Sequence, residues 1–134
     1  MTVFVDTSAL YALLDAGQDR HRAVSDAWEG LLAGTDTLVT TNYVLFETVT
    51  LVQNRLGMEA VRDLVQDILP ILGILWIGED AHAAALSALL ATDRRRLSLV
   101  DCASFEVMRR MGIRIALVLD ADFAGMGLEV LPSP

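Results

Sequence analysis

The stretch that decides the fold is TVFVDTSAL, residues 2–10. It opens with an apolar, β-branched run from Thr2 to Val5, which is typical of a buried strand. Asp6 ends that run, and the apolar residues that follow it recur at helical spacing on one face: Ala9, Leu10, Leu13 and Leu14. The stretch therefore predicts a strand that passes directly into a helix, with a carboxylate at the junction.

The same alternation continues along the chain. Four more short apolar runs predict strands at Leu38–Thr40, Ile74–Ile77, Ile113–Leu119 and, more weakly, Leu128–Leu131. Segments with helical spacing separate them, Gly57 divides two of these helices, and Gly112 suits a helix C-terminus before the next strand. Strands buried on both faces and alternating with helices indicate an α/β domain with a parallel sheet.

Length and composition narrow the class of protein. The 134 residues fit one domain, residues 1–134, and 54% hydrophobic against 21% charged residues excludes intrinsic disorder. A single cysteine, Cys102, excludes an intramolecular disulfide and a Cys-rich zinc site. The longest apolar stretch, residues 68–78, is too short to span a membrane, and the first residues do not read as a secretory signal. We therefore expect a soluble, cytoplasmic domain.

The charge is strongly acidic but unevenly distributed. Eighteen acidic residues oppose ten basic ones, all arginine, for a net charge of −8, which argues against broad non-specific nucleic-acid binding. Half of the positive charge is nevertheless concentrated in Arg94, Arg95, Arg96, Arg109 and Arg110. These five arginines are either a solvated helix face or a phosphate grip, because the guanidinium fork suits phosphate oxygens.

Four acids occupy positions where α/β sheets carry their chemistry. Asp6 and Asp120 follow strands, Asp101 lies with Ser98 at the start of a helix, and Glu47 lies inside the apolar helix Asn42–Asn54. Each has an ordinary structural interpretation by itself, since an aspartate after a strand is commonly a turn or cap residue. Glu47 faces either solvent or a polar cleft. Their combination is more informative than any one of them.

Four segments carry that combination: VFVDTSAL (residues 3–10), NYVLFETV (42–49), LSLVDCAS (97–104) and LDADF (119–123). Together they resemble the four motifs of PIN-domain ribonucleases, especially the VapC-type toxins of type II toxin–antitoxin systems. The resemblance covers essentially the whole chain, in order and at ordinary spacing. It departs at Val118, where the family often has Thr or Ser. The resemblance implies a three-layer α/β/α domain around a mostly parallel sheet of about five strands.

The resemblance also implies a site and a reaction. Asp6 and Asp101 would hold Mg²⁺ or Mn²⁺, with Asp120 or Asp122 adding direct or water-mediated contacts. Glu47 would orient or deprotonate the attacking water, and Ser8 would hydrogen-bond a ligand or a phosphate oxygen. RNA would be hydrolysed to a 5′-phosphate and a 3′-hydroxyl, and some of the five clustered arginines would contact it. The implied partners are a second copy of the chain and a small VapB-type antitoxin.

Two other functions remain open: a non-catalytic binding module of PIN fold, and a housekeeping RNA-processing nuclease. Receiver domains and haloacid-dehalogenase-type phosphatases are excluded because both need a lysine, which the chain lacks. We further expect that acids sharing one cleft raise the pKa of at least one of them. Cys102, Trp28 and Trp76 are expected to pack in the interior, with an interface as an alternative for Trp28.

Overall fold

The computed structural model describes residues 1–92 and 97–134, and it forms one parallel sheet with helices between the strands. The strands are β1 (Thr2–Val5), β2 (Thr37–Thr41), β3 (Gly73–Leu75), β4 (Ile115–Leu117) and β5 (Glu129–Leu131). The helices are α1 (Thr7–Leu14), α2 (His21–Ala33), α3 (Asn42–Leu56), α4 (Met58–Asp63), α5 (Glu79–Thr92), α6 (Leu99–Met111) and α7 (Ala121–Gly125). A π-helical turn, Leu64–Ile68, and a 3₁₀ turn, Leu69–Ile71, join α4 to β3.

The strand order is β3-β2-β1-β4-β5, and every pairing is parallel. Val3 pairs with Leu38 on one side and Ile115 on the other, which fixes the register of the central strands. The chain moves from β1 outward to β3 and then returns to β4 on the opposite side of β1. The strand order therefore reverses between β1 and β4, and in open parallel sheets the crevice at such a point is the usual place for a ligand.

The core explains why the first strand is central. Phe4 and Val5 are fully buried, as are Leu10 of α1 and Leu117 of β4, and all belong to one apolar cluster. A smaller cluster between α5 and α6 contains Cys102, which confirms that this cysteine packs in the interior. Burial on both faces makes these strands continuous apolar runs rather than alternating ones.

The α/β/α fold with a five-stranded sheet predicted from the sequence is confirmed, although the strand ends shift. β4 is shorter than the predicted run, because Ile113 instead follows the α6 C-cap and donates its N–H to the Met108 carbonyl. β3 ends at Leu75, earlier than predicted, and the amide of Asn42 bonds both the N–H and the carbonyl of Ile77. No helix in the described part of the chain is long and apolar enough to span a bilayer.

Two glycines give a matched test of backbone conformation. Gly112 caps α6 with φ +67°, whereas Gly30 lies inside α2, and an added Cβ meets open space at both positions. We expect Gly112→Ala to lower the free energy of unfolding by about 1 kcal/mol, because a left-handed backbone disfavours a Cβ. Gly30→Ala should raise it by roughly 0.5–1 kcal/mol. Urea unfolding of both variants checks the opposite signs, and equal signs would contradict the assignment of Gly112 as a left-handed cap.

Candidate active site

The site begins at the junction of β1 and α1, where Asp6 is only 5% exposed. Asp6 is the N-cap of α1, and its Oδ2 accepts hydrogen bonds from the Ser8 N–H at 3.1 Å and the Ser8 hydroxyl at 2.8 Å. The Ser8 Oγ also accepts a hydrogen bond from the Leu119 N–H at 2.9 Å. Ser8 thus joins Asp6 to the end of β4, directly before Asp120. Both hydrogen bonds from Ser8 use Oδ2, so neither engages Oδ1.

A buried hydroxyl pair connects α1 to the helix that carries Glu47. The Thr48 hydroxyl, fully buried, lies 2.7 Å from the Val44 carbonyl and 3.1 Å from the Thr7 hydroxyl. The Thr41 side chain caps the start of this helix by accepting the Val44 N–H. Glu47 precedes Thr48 and is half-buried. The bonds on either side of Glu47 therefore hold its helix against the strand end that carries Asp6.

Asp101 has a structural task as well as a candidate chemical one. Its backbone N–H donates to Ser98 Oγ at 3.1 Å, and the Ser98 N–H donates to Asp101 Oδ2 at 3.2 Å. This reciprocal pair is a capping box. It starts α6 where the sequence placed Ser98 and Asp101, at the first turn of a helix. One carboxylate oxygen of Asp101 is thus engaged by the cap.

The fourth acidic segment begins α7. Asp120 is its N-cap, and Asp120 Oδ1 accepts the Asp122 N–H at 2.9 Å. Asp120 and Asp122 are both half-buried. Asp120 follows Leu119, whose N–H is held by Ser8, so the same hydroxyl fixes the chain on both sides of the crevice.

Electrostatic coupling shows that the four acids share one region. Burial raises the pKa of Asp6 from 3.8 to about 6, against the lowering hydrogen bonds from Ser8, and the charges of Asp101 and Glu47 raise it further. Burial likewise raises the pKa of Asp101, against the hydrogen bonds from Ser98, with smaller contributions from Asp120 and Glu47. The expected upward shift is confirmed in direction. Its main cause is burial, however, and like-charge repulsion is secondary.

The donor chemistry fits a hard divalent cation held by few direct ligands. In residues 1–92 and 97–134, no three His, Cys, Asp or Glu side chains are grouped closely enough to hold a metal ion by themselves. Mg²⁺ keeps several of its waters and is usually bound through one or two carboxylates, so such a closed group is not required. Asp6 and Asp101 are charge-coupled and carry the oxygen donors that Mg²⁺ or Mn²⁺ prefers.

The structure places two of the clustered arginines away from these acids. Arg109 and Arg110 lie in the last turn of α6, whereas Asp101 lies in its first turn. Arg109 pairs with Glu106 at 2.6 Å, and Arg110 pairs with Glu106 and with Asp80 of α5, each at 2.8 Å. The other three, Arg94, Arg95 and Arg96, lie outside the described residues. Contact between the arginines and RNA stays a prediction.

A groove beside Glu47 was not predicted from the sequence. It has a volume of about 830 Å³ and is lined by residues of α3 together with Trp76 and Val100. Trp76, which was expected to pack, is 77% exposed, and Phe46 is exposed to the same extent. The apolar stripe of α3 could be identified from the sequence. Which other element packs over that stripe depends on the tertiary structure and cannot be predicted from residue spacing.

Comparison with known proteins places this geometry in a family. The PIN domain family model matches residues 3–128. The 23S rRNA-specific endonuclease VapC20 of Mycobacterium tuberculosis is 36% identical over 132 residues, covering 97% of this chain and 98% of the relative. Ribonuclease VapC26 of the same organism is 30% identical over 122 residues, covering 88% and 86%.

Solved structures agree on the fold. The crystal structure of Mycobacterium tuberculosis VapC20, described as a sarcin–ricin loop cleaving toxin, matches with a TM-score of 0.82 and 33% identity over 94% of this chain and 95% of that one. VapBC2 from Rickettsia felis, bound to a promoter DNA fragment, matches with a TM-score of 0.71 and 13% identity over 97% of each chain. The second likeness concerns the fold alone.

The burial of Asp6 predicts a pH-dependent stability in chelator. Because the pKa of Asp6 is raised in the folded state, its contribution to the free energy of unfolding is present in full below pH 3.8. That contribution is lost as the pH rises through about 6. Asp6→Asn keeps an oxygen for the Ser8 cap and removes the buried charge. At pH 8 the variant should therefore be more stable than wild type by up to about 3 kcal/mol, and the difference should shrink towards pH 5.

Guanidinium unfolding of both proteins at pH 5 and pH 8 measures this difference. Asp26→Asn, the same change at an exposed position of α2, is the matched control and should alter stability little at either pH. Added Mg²⁺ at pH 8 should stabilise wild type more than Asp6→Asn, because only wild type carries the full set of ligands. A wild type as stable as the variant at pH 8 in chelator would contradict the buried-charge argument.

Proposed function

The chain belongs to the PIN domain family, and from that membership we propose that it is a metal-dependent endoribonuclease acting as the toxin of a toxin–antitoxin pair. The observation that carries the proposal is the charge-coupled set of Asp6, Glu47, Asp101 and Asp120 at the point where the strand order of the sheet reverses. Carboxylates brought together in one cleft repel one another, and a bound divalent cation removes that repulsion. The VapC20 and VapC26 relatives are named as ribonucleolytic enzymes.

Asp6 and Asp101 would hold Mg²⁺ or Mn²⁺, and Asp120 and Asp122 would contact its water shell or add a direct bond. When bound, the cation lowers the pKa of a coordinated water and neutralises charge that develops on the phosphoryl group. Ser8 keeps Asp6 in place by donating its hydroxyl hydrogen to Oδ2, which limits the movement of the ligand. Asp101 would be both a metal ligand and the capping residue of α6, so the site and the helix N-terminus share one carboxylate.

Glu47 is the proposed general base, which accepts a proton from the attacking water. Its helix is held by the Thr48 and Thr41 hydrogen bonds, so the backbone at Glu47 is fixed relative to the start of α1. In the proposed reaction it orients the attacking water and accepts its proton, and the cleaved RNA carries a 5′-phosphate and a 3′-hydroxyl. The ribose 2′-hydroxyl takes no part in the chemistry.

Ribosomal RNA is the substrate to examine first. VapC20 is named for 23S rRNA and its structure for cleavage of the sarcin–ricin loop, and it aligns with this chain over almost its full length. We propose a homodimer and a small antitoxin whose extended segment covers the cleft. Because the chain carries a net charge of −8, a basic antitoxin segment should associate faster at low salt.

Neutralising the site acids one at a time tests the enzyme. Asp6→Asn, Glu47→Gln and Asp101→Asn should each lower kcat for a 23S rRNA loop fragment by at least about 100-fold, since charge and orientation are both disturbed. Asp122→Asn should be milder than Asp120→Asn. Asp26→Asn, the same change at an exposed position of α2, is the control and should cleave normally. Uncut RNA with a folded wild type and Mg²⁺ would favour the non-catalytic binding module.

Expression without a partner tests the assignment as a toxin. The wild-type chain should arrest bacterial growth, whereas Asp6→Asn and Glu47→Gln, produced at equal levels, should not. Colony counts after induction measure the effect. Harmless expression of a chain that cleaves RNA in vitro would instead favour the housekeeping nuclease.

A further inference from the structure

An aromatic groove adjoins the proposed catalytic glutamate. Tyr43, Glu47 and Thr50 line it at helical spacing, with Phe46 beside Glu47 on α3. Trp76 lies just after β3, at the carboxyl edge of the sheet, and forms the other wall. The groove therefore adjoins the acid site through Glu47, and both aromatic residues, Phe46 and Trp76, line it.

The polar groups of the groove are partly committed to the fold. The Asn42 amide bonds the backbone of Ile77, and the Thr50 hydroxyl donates to the Phe46 carbonyl at 2.9 Å. The Tyr43 hydroxyl is hydrogen-bonded to His82 Nδ1. The two aromatic residues of the groove, Phe46 and Trp76, are each 77% exposed, and exposed aromatic side chains are suited to stacking against bases.

None of the described side chains that line the groove is cationic. The net charge of the chain is −8, Arg109 and Arg110 are paired with acids, and Arg55 lies over the Tyr11 ring at 5.5 Å. A ribonuclease with this charge gains little from long-range attraction to phosphates. Stacking of unpaired bases on aromatic rings needs no positive charge, and sequence-specific RNA recognition mostly targets such bases.

We propose that Phe46 and Trp76 form a stacking platform that binds one or two unpaired nucleobases next to the scissile phosphodiester. The groove volume of about 830 Å³ lies within the range of small-molecule sites and is ample for such planar groups. This inference rests on the proposed ribonuclease function and adds to it the requirement that the target be single-stranded or looped at the cut.

Tryptophan fluorescence gives a direct test of binding. The chain has two tryptophans, and Trp28 is only 8% exposed, so quenching by RNA reports on Trp76. To prevent cleavage of the RNA, the titrations use the Asp6→Asn protein with Mg²⁺ and a loop RNA bearing unpaired purines. We expect saturable quenching that is absent with a fully paired duplex. Trp76→Phe, made in the Asp6→Asn protein, should abolish the quenching and keep the affinity measured by anisotropy.

Affinity and turnover give a second test. Phe46→Ala and Trp76→Ala should each raise the Kd for the loop RNA about 5- to 150-fold in the Asp6→Asn background, and should lower kcat/KM of the otherwise wild-type enzyme. Leu90→Ala removes an equally exposed apolar side chain of α5 that does not line the groove, and should change neither. Circular dichroism confirms that each variant is folded.

Three outcomes would overturn the platform. RNA could bind without quenching, or a Phe46→Ala, Trp76→Ala double variant could cleave like wild type. Alternatively, Trp76 fluorescence could respond to protein concentration and not to RNA, with sedimentation showing that the double variant no longer self-associates; the groove would then be covered by a second copy. A wild type that neither binds nor cleaves RNA would instead refute the ribonuclease function itself.

Discussion

A carboxylate buried at the centre of a parallel sheet is the constraint on which the rest of the site depends. The Asp6 N–H bonds the Leu117 carbonyl, so the residue continues the pairing of β1 with β4. Its side chain is held by Ser8, whose oxygen also accepts the Leu119 N–H. The hydrogen bonds that fix the acid are therefore the ones that close the sheet at its topological switch point.

That placement is costly in the absence of a cation. Water is removed from the Asp6 carboxylate, and two neighbouring acids oppose its ionisation, so Asp6 keeps its proton to a higher pH in the folded state than in the unfolded chain. The two hydrogen bonds from Ser8 to one carboxylate oxygen reduce the free-energy cost of burying the charge of Asp6. The hydrogen bonds that Asp101 accepts as part of the α6 cap offset part of the cost of its own burial. A bound metal ion relieves the remaining cost, which means that energy lost in folding reappears as affinity for the cation. Removing the acids to gain stability would remove that affinity as well.

Most of the frame could be read from the sequence, because local signals determine it. The apolar runs marked the five strands, and Gly57 and Gly112 divided the elements where the structure has positive φ angles. Ser98 and Asp101 are spaced as a capping box, which could have been recognised directly. The exposure of Trp76 could not, because burial depends on what another element places over a side chain. The ion pair between Arg110 and Asp80 joins α5 to α6 and is likewise a product of tertiary packing. Counting arginines in the sequence therefore overestimated the positive charge available for contact with RNA.

The net negative charge of the chain affects how the site can bind RNA and a protein partner. An acidic protein that cleaves a polyanion must obtain its affinity at short range, from a bound cation and from uncharged contacts such as ring stacking, because its long-range field is repulsive. The same field attracts cationic segments and draws them towards the acids. A basic partner that covers the cleft would therefore be favoured by the charge distribution that disfavours free RNA. In the proposed complex, a positive side chain placed among Asp6, Glu47 and Asp101 would supply the charge that a metal ion otherwise provides, so inhibition would need no conformational change.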